Sequence, residues 1–496
     1  MFCRFIILLN VLIVIYGYLI ESPDFESDWL RITAQSSGSE IKVSHGLGTA
    51  PVLVDVLVKA IDGPNEGFIF KAIGHGERDD DNTLDKYGGV IYIYNDVSVF
   101  VMTPAGNNGN RGGAAIYTGS SPYWHGPNTQ MSFSADIKVK CWTAASLPPP
   151  CVQITDIYMS AGSPNVDDTY KEIQHNQTEY PSIVKVRVQI TNGKESGWYS
   201  DAQGSSAYNY ITMGAWYVTG GLKFAYNNET IRIWTSSYPA PNGIIFARND
   251  GWGNIKSVYG VSTAGYVEVN AWCNLKTSHE EVLQFGPGII NESMQFNFPN
   301  IYSAFEAFHI TMMVRAVDGP NKGYLFDGIG GAMPNRYNIG QPCSYGGLVY
   351  ARNKTCVRIW RPDYATGGAI CISENMGHGT NSQASQSGEL LFKVYTPPTF
   401  KKAPEYEPAP LVCSHFTIHG NDVGYNEKPI AALYNISTLL SCDYSCRQYN
   451  ACVLYSYKND TCYIYNTTDN ALLYSYENSQ VWGLKTRIYN GMLDEL

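Results

Sequence analysis

One feature constrains this chain more than any other: it repeats itself three times. Gly88-Gly89-Val90-Ile91-Tyr92-Ile93-Tyr94-Asn95, running on to Val99-Phe100-Val101-Met102, returns twice. The second copy is Gly220-Gly221-Leu222-Lys223-Phe224-Ala225-Tyr226-Asn227 with Ile231-Arg232-Ile233-Trp234. The third is Gly346-Gly347-Leu348-Val349-Tyr350-Ala351-Arg352-Asn353 with Val357-Arg358-Ile359-Trp360. They align without gaps at offsets of 132 and then 126 residues. A second block precedes each one. Asp62-Gly63-Pro64-Asn65-Glu66-Gly67 returns as Asp318-Gly319-Pro320-Asn321-Lys322-Gly323, with a looser middle copy at Asn192-Gly193-Lys194-Glu195-Ser196-Gly197. A third block follows, at Gly113-Ala114-Ala115-Ile116, Gly243-Ile244-Ile245-Phe246 and Gly368-Ala369-Ile370-Cys371. Three blocks in one order, three times over, define a repeated structural unit.

Each copy reads as strands. Val52 to Val58 is a β-branched run ending at the Asp62-Gly63-Pro64 turn, and Lys185-Val186-Arg187-Val188-Gln189-Ile190 alternates with period two. Asn95, Asn227 and Asn353 mark hairpin turns. In the strand that follows, Arg232 and Arg358 alternate with Ile and Val, which predicts one buried face and one wet face. No amphipathic helix of useful length is present in any copy. The expectation is a mainly β protein of three tandem, independent antiparallel β-sandwiches of jelly-roll type, at 24–145, 151–275 and 276–396. Their length of about 120 residues is too great for propeller blades. A proline-dotted linker, 397–412, follows.

The N-terminus places Arg4 before an apolar run from Phe5 to Ile20, and then Glu21, Ser22, Pro23 and Asp24. This is the layout of a secretory signal peptide, 1–20, with cleavage after Gly17 as one site. Export predicts further marks. Asn-x-Ser/Thr acceptors begin at Asn176, Asn228, Asn291, Asn353, Asn435, Asn459 and Asn466. The chain has 12 cysteines, and removing Cys3 with the leader leaves an odd number. Disulfides are then the default, with one thiol free or paired to another chain. Pairing among Cys141, Cys151, Cys273, Cys343, Cys356 and Cys371 stays open. Cys151 could join Cys273 across the second copy or Cys141 across the linker Ser146–Pro150. No later stretch approaches spanning length, so the mature chain is expected to carry no membrane span. The balance is acidic, 44 Asp and Glu against 34 Lys and Arg, with no basic patch to attract phosphates. Nucleic acid is not an expected partner. The final Leu493-Asp494-Glu495-Leu496 is a poor copy of a retrieval signal for the endoplasmic reticulum.

After the linker the cysteines cluster: Cys413, Cys442, Cys446, Cys452 and Cys462. Ser437 could cap a helix from about Thr438 to Tyr449, with Cys442 and Cys446 on one face of it. Two strands follow, Cys452–Tyr457 and Cys462–Tyr465. This C-x3-C-x5-C-x9-C arrangement ahead of a tyrosine-rich strand resembles the PAN/apple domain over 413–485. The resemblance implies a small disulfide-bonded α+β module with Cys442 paired to Cys462 and Cys446 to Cys452. It also implies a module that binds proteins or carbohydrates and is not an enzyme. The outer bridge of many apple domains lacks its second cysteine here, which makes Cys413 a candidate for the odd thiol.

The search for chemistry yields little. Nine histidines form no H-E-x-x-H and no paired Cys/His spacing. There is no G-x-S-x-G elbow and no phosphate-binding glycine loop. No cofactor and no enzymatic activity are expected. The acidic run Asp79-Asp80-Asp81 could coordinate calcium, which takes six to eight oxygens. The other copies lack it, which favours a solvated loop. Asp250-Gly251-Trp252-Gly253 and Met376-Gly377-His378-Gly379 each hold a ring between two glycines. Such a ring could stack on a sugar face beside Asp250, or plug one end of its own sandwich. Trp234 and Trp360 share a face with Arg232 and Arg358, and an exposed Arg-Trp stripe would suit a contact surface.

These readings converge on a secreted recognition or adhesion protein that binds glycans or extracellular proteins multivalently. The alternative is a structural component of a matrix or secretion, assembled through its repeats and a disulfide-linked or non-covalent oligomer.

Overall fold

The computed structural model is mainly β; its large sheets are antiparallel, and two short two-stranded pairs, Tyr87–Gly88 with Gly113–Ala114 and Tyr345–Gly346 with Gly367–Gly368, are parallel. It describes residues 20–395, apart from 74–86, 106–112, 120–123, 128, 194, 204–220, 238–242, 247–251, 254–260, 287–294, 298–308, 329–344, 354–355 and 363–366. Beyond 395 it describes the backbone of six strands between 423 and 484. The chain divides into two compact units, Met1–Ala403 and Pro404–Leu496, and the division falls inside the proline-dotted segment. The only described α-helix is one turn, Val166–Thr169, whose Asp167 N–H is capped by Asn165 Oδ1 at 3.2 Å.

The hairpin expected at each repeated asparagine forms. Asn95 Oδ1 accepts from the Val97 and Ser98 amides, and Asn227 Oδ1 from those of Glu229 and Thr230. Asn353 Oδ1 accepts from the Cys356 amide. These side-chain turns hold together Ile91–Tyr94 with Ser98–Met102, Leu222–Tyr226 with Thr230–Thr235, and Val349–Arg352 with Cys356–Pro362. The Asp-Gly-Pro-Asn turns are closed alike in copies one and three. Gln130 Nε2 donates to Asp62 O and its Oε1 accepts from Asn65 N; Gln383 does the same for Asp318 and Asn321.

The copies are not independent, and this corrects the expectation from sequence. Each large sheet joins strands of two copies. In the first copy, Ile69–Lys71 pairs with its own Leu53–Ala60 on one side. On the other side it pairs with Val349–Arg352 of the third copy, Phe70 opposite Ala351. In the second copy, Tyr199–Asp201 pairs with Ile183–Ile190 and meets Tyr94 of the first copy through Tyr199. In the third, Leu325–Asp327 lies between His309–Arg315 and Leu222–Tyr226 of the second copy. First to third, second to first, third to second: the joints close a ring of three. A sandwich standing alone would leave these short strands as edges with unpaired N–H and C=O groups, and the ring pairs all three.

Joining sheets buries both faces of strands that alternation alone leaves half wet. On Leu53–Ala60 the valines at 54, 56 and 58 face one side and Leu53, Asp55 and Leu57 the other, and all six are buried. Thr230–Thr235 and Cys356–Pro362 are likewise buried except at Arg232 and Arg358, which are half-buried. At the joints Phe70 and Phe326 are buried, and a fully buried side chain of this kind stabilises by about 1.5–3 kcal/mol. Ile20, the last residue of the apolar run, packs beside Leu53, Trp142 and Trp272.

Cys151 is bonded to Cys273, joining the two ends of the second copy, and Cys371 is also disulfide-bonded. Cys141 and Cys356 are buried thiols, and Cys356 Sγ lies 3.5 Å from Asn353 Oδ1. In the C-terminal unit the hairpin Leu454–Lys458 with Thr461–Tyr465 forms the middle of a four-stranded sheet flanked by Ala431–Tyr434 and Val481–Leu484. The anticipated helix at 438–449 and the side chains of Cys442, Cys446, Cys452 and Cys462 lie outside the described residues.

Candidate functional site

The residues singled out for a contact surface lie at the joints between repeats. Arg232 Nη1 donates to Pro320 O and Asn321 Oδ1, both at 2.9 Å, and its guanidinium lies 4.1 Å over the Tyr324 ring. Arg358 Nη1 donates to Pro64 O at 2.9 Å and Asn65 Oδ1 at 2.7 Å, and lies 4.1 Å over Phe68. Each arginine therefore clamps the Gly-Pro-Asn turn of the next copy. The first copy has Phe100 at this place, edge-on to Trp198 of the second. Trp234 stacks on Phe326 and donates its Nε1 to Thr380 O at 2.8 Å, and Trp360 stacks on Phe70. Both rings are fully buried. The Arg-Trp stripe is thus covered by a neighbouring repeat and is not an exposed surface. Period two reports that the faces of a strand differ; it is silent on what covers them.

The glycine-flanked loops serve the same joints. Trp252 is buried, and its backbone bridges Pro104 of the first copy. Gly253 N donates to Thr103 O at 2.9 Å. Met376 bridges Ser236 of the second copy in the equivalent way. Gly377 packs so close that a Cβ there would sit 2.9 Å from Cδ1 of Trp234. In the first copy, Trp124–His125 pairs with Cys356–Pro362 of the third. Trp252 thus ties its loop to the first copy through the backbone while its ring is buried. His378 is exposed, held at φ +54°, with Nε2 2.9 Å from Ser163 O of the second copy. Asp250 and the acidic run Asp79-Asp80-Asp81 lie outside the described residues. Among the described residues no three His, Cys, Asp or Glu side chains are grouped to hold a metal ion.

Where the three copies meet, equivalent residues form layers. Leu53, Ile183 and His309 stand opposite Trp142, Trp272 and Tyr395 across their strand pairs. Most of these pack with Ile20, Leu147 and Leu275 into one apolar cluster, and His309 contacts the rings of Trp142 and Tyr395 at 6.1 and 6.0 Å. Two residues along, the equivalents are Asp55, Lys185 and Thr311; on the joint strands they are Lys71, Asp201 and Asp327.

This second layer is an ionic cluster. Asp201 accepts from Tyr92 OH at 2.6 Å and Tyr94 OH at 2.7 Å, both of the first copy, and pairs with Lys185 Nζ at 2.5 Å. Arg187 pairs with Glu268 at 2.6 Å, donates to Pro51 O of the first copy at 2.5 Å, and lies over Tyr199. Asp55 Oδ2 accepts from His309 Nδ1 at 2.5 Å. Lys71 Nζ lies 4.0 Å from Asp55 Oδ1 and 3.8 Å from Asp327 Oδ2. Burial alone would push the Asp55 carboxyl up; His309, Lys71 and Lys185 outweigh it and hold the group well below the usual carboxylate range. Burial likewise opposes the Lys71 charge, but Asp327, Tyr350 and Asp55 hold its ammonium above the ordinary range. Burial and then Asp201 push the Tyr92 and Tyr94 hydroxyls up. A cavity of about 30 Å³ adjoins the cluster, lined among others by Lys71, Lys185, His309, Thr311 and Asp327.

Chemically this arrangement binds the repeats to one another, with its charges already compensated by partners. One sequence signal does point to it: Asp55 stands inside the otherwise apolar run Val52–Val58, where an ionised side chain needs a partner. Set against known proteins, the chain matches no family model, no curated protein and no solved structure.

Proposed function

We propose that this is a secreted recognition or adhesion protein, binding glycans or extracellular protein surfaces multivalently and without catalysis. The observation that supports it is the closed ring. Three related repeats, locked by shared sheets, hold equivalent surfaces at fixed distances and angles. Binding through one repeat then raises the effective concentration of the ligand at the other two, with little ordering cost left to meet. The apple-like C-terminal module is the fourth contact in this reading. The Trp252 ring is buried, which moves the contact surface to the outer loops. His378 stays a candidate because it is exposed.

The buried state of Cys141 and Cys356 weighs against assembly through either thiol as the primary role. The test is binding of the full secreted chain to a glycan array printed at two densities, beside immobilised extracellular proteins. Selective binding that rises more steeply than density is expected. Density-independent binding would remove the multivalent part of the proposal. A folded protein that binds nothing on either surface would sink it altogether.

A further inference from the structure

The joint that closes the ring, between first and third copies, differs from its equivalent between second and first. In the latter, Tyr92 and Lys185 reach Asp201 directly, at 2.6 and 2.5 Å. The third copy places Tyr350 where the first has Tyr92, and the first copy places Lys71 and Asp55 where the second has Asp201 and Lys185. The ion pair is thus reversed in sign, and the direct bonds are lost. Among the described residues the Tyr350 hydroxyl and Asp55 Oδ1 are buried with no hydrogen-bond partner. Lys71 Nζ reaches its two carboxylates only at 3.8 and 4.0 Å, beyond hydrogen-bond length.

Buried polar groups left in this state cost free energy, and a gap of this length between charges is one a water spans. We propose that this joint contains a structural water-binding site, in which a buried water accepts from Lys71 Nζ and Tyr350 OH and donates to Asp55 and Asp327. Two acceptors and two donors satisfy all four hydrogen bonds of one water molecule. A cavity of about 30 Å³, lined by Lys71 and Asp327 but not by Asp55 or Tyr350, opens beside these groups. Charge selects the ligand. The ammonium repels a cation, the two carboxylates repel an anion, and a neutral molecule able both to donate and to accept fits.

A crystal structure of the full chain at a resolution that orders waters tests this directly. The expected result is a density peak within hydrogen-bond reach of Lys71 Nζ and of both carboxylates. Lys71 in direct contact with Asp55 or Asp327, with no such peak, would overturn it. A second measurement stands on its own. Tyr350→Phe should lower the melting midpoint of the full chain, because the water loses a donor. A dry, unpartnered hydroxyl would make the same change neutral or stabilising, and that outcome also overturns the proposal.

Discussion

At the scale of single residues, Asp55 ties the first copy to the third through His309. It faces His309 and Lys71 from inside the otherwise apolar run Val52–Val58. Asp55→Asn removes the carboxylate that His309 and Lys71 face, and breaking one side of a buried pair costs about 3–5 kcal/mol. The folded-state carboxyl is depressed below 3.8, so its contribution is complete above that value and is lost only as pH falls beneath it. Denaturant unfolding of wild type and Asp55→Asn should therefore show a constant gap from pH 7 to about pH 4, narrowing below. A gap that closes between pH 7 and 5 would mean another group carries the effect. The role of Asp55 was readable in kind, since a carboxylate in an apolar strand demands a partner. Its partners were not, because His309 lies 254 residues away.

At the scale of elements, the strands and hairpins follow closely from period and turn chemistry. The asparagine turns and the Asp-Gly-Pro-Asn turns form where the repeated blocks place them. What period two could not convey is that the wet face of Thr230–Thr235 is roofed by the turn of another copy. Arg232 looks like a solvent-facing residue until Pro320 and Asn321 are brought against it. Arg232→Ala should cost about 1–3 kcal/mol of stability in a thermal melt, since Asn321 Oδ1 and Pro320 O lose a charged donor. Binding per folded molecule should not change. A loss of binding with unchanged stability would return Arg232 to the contact surface.

At the scale of the whole molecule, sequence indicates three equal units and the structure makes them one. The reason is physical. A repeat carries no record in its own pattern of which other repeat completes its sheet, and the pairing appears only when the short strands Ile69–Lys71, Tyr199–Asp201 and Leu325–Asp327 are seen from both sides. These three strands are also where the ring reading and the independent-sandwich reading differ most. Amide-resolved hydrogen exchange on the intact chain measures that difference. The ring predicts that amides of these strands directed at the neighbouring copy exchange as slowly as those of the central strands Leu53–Ala60, Ile183–Ile190 and His309–Arg315. Fast, edge-like exchange of those amides in a folded protein would contradict the shared sheets.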